Sequence, residues 1–365
     1  MTLTLYIARR FMGMFLRVFG VFLGIMMLIE TIDQLRKFPN ARLGIWDAVY
    51  MAALTVPESL YRILPLIMIL TAIALFLGLA RSSELVVVRA AGRSGLMFLL
   101  APVGASLLIG MFTVAVLNPL VAATSKKYDT LRAELGGEGG SVMSVSEDGL
   151  WMRQGNEAGQ SVIKAARVDP DGGAMHQVTF ITFAPDGTLS ERIEAAHARL
   201  MPGEWVLTGV KRWPLTAANP EQSATAAEGE MRIATDLTTD RIRDSFGAAQ
   251  AIAFWDLPRY ITALERAGFS ARSHRVWMQM ELALPLLMAA MVLIAAGFTM
   301  RHARFGNTGS MVLLALLGGF VIFFLRNFAQ VLGENGQIPV LMAAWIPPVA
   351  AALFALGLLL HLEDG

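Results

Sequence analysis

Residues Gly95 to Ser125 read GLMFLLAPVGASLLIGMFTVAVLNPLVAATS, without one charged side chain. A helix needs about 20 predominantly apolar residues to cross a bilayer, so this stretch reads as a membrane span with length to spare. Lys126 and Lys127 follow at once and change the solvent. The 150 residues from Lys126 to Arg275 hold 37 Asp, Glu, Lys and Arg side chains. That is close to the roughly one in four usual for soluble domains. The other 215 of the 365 residues hold only 22. One chain is written for two solvents, which excludes a single soluble globule and also a disordered or fibrous protein.

Outward from that stretch the pattern repeats. Leu282 to Met300, Phe305 to Leu325 and Gln337 to Leu360 are also free of charge. Ile63 to Ala80 lengthens upstream through Met51 to Pro57 once Glu58 and Arg62 are accommodated, and Phe11 to Ile29 carries only Arg17. Six spans result, three on each side of the polar segment. Leu3 to Ile29 reads as a retained helix and not as a cleaved signal, because its apolar stretch is long and no small-residue cleavage site follows. With the N-terminus inside, one set of short loops holds Arg9, Arg10, Arg81, Arg89, Arg93, Arg301 and Arg304, against Arg36, Lys37 and Arg42 opposite. The positive-inside bias puts both termini in the cytoplasm and the polar segment outside it.

The polar segment alternates in short runs: Ser161 to Val168, His176 to Phe183, Thr188 to His197 and Glu204 to Trp213. Pro185-Asp186-Gly187 is a hairpin turn in which Gly supplies positive φ, and Asp169 to Gly173 and Pro202-Gly203 mark further turns. Successive strands of this length predict an antiparallel sandwich or roll. Residues 217–229 read as a loop, 257–268 as a short amphipathic helix, and the glycines of 136–140 as a hinge. The expected organisation is residues 1–125 with three spans and a cytoplasmic helix at about 82–92, a β domain over 126–256, a connector over 257–275, and three spans over 276–365. The fold class is an α-helical polytopic membrane protein with six transmembrane helices and an inserted all-β domain.

Much chemistry is missing. No GxxxxGK[ST], HExxH or GxSxG occurs, and the five histidines are scattered. With no cysteine there is no disulfide framework, thiolate zinc site or thiol nucleophile. A net charge of +1 gives no reason to expect nucleic acid as a partner. No catalytic or metal residue is nominated.

Charged groups at membrane depth are costly and so point to function. Glu30, Asp33, Arg36 and Lys37 close the first span, with Asp33 three and four residues from the two cations on one helix face. They read either as an interfacial anchor with internal ion pairs or as a site for a phosphorylated lipid headgroup. Glu58 and Arg62 form an i,i+4 pair between Pro57 and Pro65, either as a structural pair at a broken helix or in ligand contact. Arg326, at the outer end of span five, has no acid within one turn of its helix and needs a partner from elsewhere. Glu281, opening span four, has Arg275 or water as its expected partner.

Between spans two and three the chain reads Ser82-Ser83-Glu84-Leu85-Val86-Val87-Val88-Arg89-Ala90-Ala91-Gly92. Ser82 or Ser83 fits an N-cap, Glu84 the favourable first turn, and Gly92 the terminator. Such a helix either lies on the bilayer or docks in a groove of a cytoplasmic partner.

The three-span, β-domain, three-span plan together with Ser83 to Gly92 resembles the lipopolysaccharide-export permease family (LptF/LptG). Tyr6-Ile7-Ala8-Arg9-Arg10-Phe11, Asp33-Gln34-Leu35-Arg36-Lys37, Ile338-Pro339 and Ile346-Pro347-Pro348 carry the rest of the likeness, and the first two of these resemble the LptG branch. The resemblance implies half of an ABC transporter in the inner membrane of a Gram-negative bacterium. That half would extract lipopolysaccharide from the outer leaflet and pass it through a jelly-roll-like periplasmic β domain. Implied partners are the homologous permease LptF, an LptB ATPase dimer that binds the ATP and Mg, the bitopic LptC and a periplasmic bridge protein. This chain would hold no cofactor and perform no catalysis itself. Carried over, Asp33, Arg36 and Lys37 sit at the level of the lipid A phosphates; Arg62 and Arg326, charged at membrane depth, are further expected substrate contacts read from the residues themselves. Ser83, Glu84, Leu85, Val88, Arg89 and Gly92 form the ATPase-coupling helix, centred on Glu84. Glu30 stands about one turn before Asp33, where family members often carry a basic residue. The alternatives are the LptF paralogue of the same transporter and a mechanotransmission permease that moves no lipid.

Overall fold

A computed structural model describes residues 2–37, 44–82, 84, 95–136, 143–146, 149–156, 159–169, 173–184, 188–217, 219–227, 229–235, 237–238, 249–300 and 308–363. Six helices among these are long and apolar enough to cross a membrane. They are α1 (Thr2–Lys37), α2 (Ile45–Arg81), a composite third span, α6 (Arg272–Thr299), α7 (Thr308–Glu334) and α8 (Val340–Glu363). The third span joins α3 (Gly95–Phe112), a π-helical turn (Thr113–Leu117) and α4 (Asn118–Gly136). The chain divides into two compact units. One is 1–132 with 253–255 and 272–365, and the other is 133–252 with 256–271.

In the membrane unit α6 is the hub. Its most apolar window is 78% buried, against 6% for α1 and 11% for α7. Small residues make this possible: Ala289, Ala290, Ala295 and Ala296 are buried and let neighbouring helices approach. Gly110 shows how close that approach is, since a Cβ there would lie 2.5 Å from the Pro285 Cα. Pro57 and Pro65 interrupt α2, Pro285 interrupts α6, and Pro347 and Pro348 interrupt α8. The two least buried helices, α1 and α7, hold no internal proline and run as unbroken rods. α1 buries Ile7, Phe11 and Phe15 near its start and Gln34 near its end, while Val18, Phe19, Phe22, Met26 and Met27 between them pack half-buried on the core.

The other unit is an antiparallel meander, β1 (Met143–Ser146), β2 (Gly149–Asn156), β3 (Gly159–Val168), β4 (Ala174–Phe183), β5 (Leu189–Met201), β6 (Glu204–Pro214) and β7 (Thr225–Ala227), with β8 (Met231–Ala234) also paired to β6. The expected inserted all-β region is present, and β7 lies where 217–229 reads as loop. Its core holds Trp205 against Phe180, with ring centroids 6.3 Å apart. Buried residues keep one parity through Ile163, Ala165, Phe180, Val178, Ile193 and Ala195, then switch at Val168, Met175 and Ala198. The switch falls on one row across four strands, Ala166, Gln177, Ala196 and Gly209, where regular pairing is skipped. Gln177 and Gly209 have positive φ there, 51° and 65°. A coordinated irregularity of this kind bends every strand together and keeps the apolar set on one side of the bend. Helix α5 (Leu257–Arg266) closes this core through Leu257, Ile261 and Leu264, and the Val168 amide donates to the Ala267 carbonyl at 2.9 Å.

Candidate functional site

The C-terminal end of α1 is held by polar contacts. Ser59 Oγ and Thr55 Oγ1 on α2 donate to the Glu30 carboxylate at 2.8 and 3.2 Å, and the Tyr128 hydroxyl donates to Gln34 Oε1 at 3.1 Å. Glu30 therefore anchors α1 to α2 and is spoken for, which answers the missing basic residue at that turn. Lys37 Nζ lies 2.6 Å from Asp33 Oδ2, whereas Arg36 is exposed and makes no hydrogen bond or ion pair with another described residue. Arg62 pairs with Glu58 at 3.0 Å and is 71% exposed, so its guanidinium stays available on one side. Glu58 also accepts from Ser125 Oγ at 3.3 Å, joining α2 to α4.

Deeper in the membrane unit is a cluster that the sequence conceals. Glu281 has no exposed surface, takes the Tyr61 phenol as its hydrogen-bond donor, and has its second oxygen without a partner. The expected partners, Arg275 or water, are not what this carboxylate meets. Asn118 reaches the Tyr61 oxygen at 3.5 Å and accepts from the Phe254 amide at 2.7 Å. Trp255 Nε1 donates to the Ala115 carbonyl at 3.1 Å, within the widened π turn that sets Asn118's direction. Such turns loosen the local ladder and leave carbonyls reachable.

Arg326 on α7 feels the charge of Glu281, yet no ion pair within 4 Å or hydrogen bond ties it among the described residues. The partner that its own helix lacked thus comes from α6, near enough to stabilise the guanidinium while leaving its donors free. Tyr61 helps to line an apolar pocket of about 270 Å³, with Phe19, Leu23 and Met27 of α1, Leu60 of α2, and Leu117 and Leu120 of the third span. Arg326 and Tyr61 share one neighbourhood. The Asp33–Lys37 pair belongs to the α1–α2 end.

At the opposite end of α1, Glu84 is bonded inside the chain. Arg10 Nη1 lies 2.6 Å from both of its carboxylate oxygens, Ser82 Oγ donates at 2.7 Å and the Tyr6 hydroxyl at 3.3 Å. Arg10 holds the Glu84 carboxyl below its usual range against the opposing effect of burial, with Ser82 and then Tyr6 adding to the lowering. Ser82 ends α2, its amide bonded to the Gly78 carbonyl at 3.1 Å. Ser83, Leu85, Val88, Arg89 and Gly92 lie outside the described residues, as does the remainder of the expected coupling helix. Sequence reading missed Arg10 and Tyr6 as partners of Glu84. Their only signal was their i,i+4 spacing at the start of a span.

Six spans around a hub helix, two bare rods at the periphery, cations at span ends and an inserted β domain define a polytopic membrane permease. A family model for the lipopolysaccharide export system permease LptF/LptG matches residues 5–361, and the chain belongs to that family. Among curated relatives, the lipopolysaccharide export system permease protein LptG of Haemophilus influenzae is 23% identical over 95% of this chain and 94% of its own length. The protein of the same name from Escherichia coli K12 is 26% identical over 92% of this chain and 91% of its own. The chain is accordingly a multi-pass inner-membrane protein of the lipopolysaccharide-transport class.

Proposed function

We propose that the chain is the LptG-type half of an ABC transporter that lifts lipopolysaccharide out of the outer leaflet of the inner membrane. LptF supplies the other half, and an LptB dimer, which holds the ATP and Mg, drives it from the cytoplasm. The β domain faces the periplasm and hands lipid to LptC and the bridge protein, with both termini cytoplasmic, as the arginine bias favours. The relatives' names and the family match support this reading. The observation that carries it is Arg326, a cation with no ion pair or hydrogen bond among the described residues, which shares the neighbourhood of Glu281 and of Tyr61, a residue lining an apolar pocket.

Lipid phosphates would be met by Arg326, Arg36, Lys37 and Arg62, and acyl chains by the bare faces of α1 and α7. Each contact is charge-assisted, and those of Lys37, Arg62 and Arg326 are partly balanced by a carboxylate, Asp33, Glu58 or Glu281. That balance keeps binding weak enough for closure of the two permeases to release the lipid. The test is lipid release from proteoliposomes holding the full complex. Arg326→Glu should lower release about tenfold or more, the scale of one charged contact reversed. Arg36→Glu with Lys37→Glu should act in the same direction, with ATP hydrolysis intact. Unchanged release in both variants would sink the assignment.

A further inference from the structure

Glu84 is expected to meet the ATPase, yet all its hydrogen bonds in the chain run to groups that belong to, or lie beside, its own spans. Arg10 and Tyr6 are one turn apart on α1, and Arg10 Nη1 also donates to the Tyr6 hydroxyl at 2.9 Å. The guanidinium lies 5.9 Å from the Tyr6 ring centroid. Tyr6 thus steadies Arg10, Arg10 chelates Glu84, and Ser82 completes the carboxylate's shell. About a third of each charged side chain stays exposed, 32% for Arg10 and 34% for Glu84. The link is shielded but can still be reached from the cytoplasm.

The other half of the observation is the rod. Ile7 and Phe11 are buried beside this link, and α1 then runs along α2, with Phe19, Phe22 and Met26 packed on the core and Glu30 bonded to Ser59 and Thr55. It contains no proline in its 36 residues. At about 1.5 Å rise per residue, Arg10 and Lys37 are roughly 40 Å apart along one unbroken helix. A push on Glu84 is therefore a push on α1, and its far end carries Asp33, Arg36 and Lys37.

We propose that Arg10 is a positioning residue, with Tyr6 supporting it, that fastens the coupling segment to the first span. Motion imposed on Glu84 then reaches the lipid-contacting end of α1 directly. This rests on the transporter reading above and on the coupling role that the family resemblance implies for Glu84, and it adds the route by which coupling leaves the cytoplasmic face.

The test compares lipid export per ATP hydrolysed in proteoliposomes containing the complete transporter and lipopolysaccharide. Arg10→Gln should assemble and hydrolyse ATP within about twofold of the parent, while export per ATP falls about tenfold, as expected for loss of a charge-assisted hydrogen bond. Arg10→Lys should recover most of the ratio. The exchange Arg10→Glu with Glu84→Arg should export better than either single change, because the link is remade with its charges reversed. Parental export per ATP in Arg10→Gln would overturn the proposal, and so would an exchange no better than its parts. Loss of assembly in Arg10→Gln and Arg10→Lys alike would also overturn it, by making Arg10 a folding residue. Glu84→Gln separates the two readings. If Glu84→Gln weakens coupling and Arg10→Gln does not, only the tether fails. If Glu84→Gln changes nothing, the coupling role of Glu84 fails as well.

Discussion

Tyr61 on α2 donates its phenolic hydrogen to Glu281 on α6, a carboxylate with no exposed surface. These residues are 220 positions apart. The bond therefore ties the first half of the chain to the second across the hub helix. Removing the donor costs the acceptor: Tyr61→Phe takes the phenol from a fully buried carboxyl whose other oxygen already lacks a hydrogen bond, at a cost of about 1–3 kcal/mol. Glu281→Gln should cost less, because a neutral amide needs less from its surroundings. Thermal unfolding of the detergent-solubilised chain would check the order. A larger loss for Glu281→Gln than for Tyr61→Phe would mean that the charge, and not the bond, holds the helices.

Glu281 also shows where sequence reading reaches its limit. The six spans were legible because length without charge is a local property, and Gly95 to Ser125 can be read without reference to anything else. The inserted β region was legible for the same reason, through period-two alternation and turn residues. A lone acid at the start of a span says only that something must neutralise it. Its partner, Tyr61, is set by which helices pack together. Arg10 and Glu84 meet for the same non-local reason, 74 residues apart. The bent row through Ala166, Gln177, Ala196 and Gly209 had only one sequence hint, a glycine in mid-strand, and that marks one strand and not four. Arg36 and Lys37 were nominated together, yet only Lys37 is paired, which distance on a helix face could not decide.

The lowered Glu84 pKa fixes the direction of a pH effect. A carboxyl held below its usual value by Arg10 gives its stabilisation above the unfolded pKa and loses it as pH falls through the folded one. The link is thus complete across neutral pH. Export per ATP should be flat between about pH 6 and 8, since ordinary glutamates titrate near 4.3. Arg10→Gln removes the largest lowering influence, so any acid-side loss of coupling should begin at higher pH in that variant. A pH profile of export per ATP compares the two directly, and an unmoved acid limb would separate Glu84's protonation from coupling.

Gly209 is a strand position at which the β unit tolerates no side chain easily. Its φ is 65°, and a Cβ there would stand 2.9 Å from the Ala196 Cβ across the pairing row. Two effects add: a non-glycine residue pays for left-handed backbone, about 1–2 kcal/mol, and the contact pushes β5 from β6. A β-branched side chain makes both worse. Gly209→Val should therefore loosen the bend at the row shared by β3 to β6 while leaving the membrane helices in place. Hydrogen exchange on the whole chain should show faster exchange in strands β4 to β6, with protection of α6 unchanged. Gly203, also at positive φ but with open space around it, is the internal control. Gly203→Ala carries only the backbone effect, so it should disturb the sheet less than Gly209→Ala. Equal effects at the two glycines would show that the close approach to Ala196 contributes nothing.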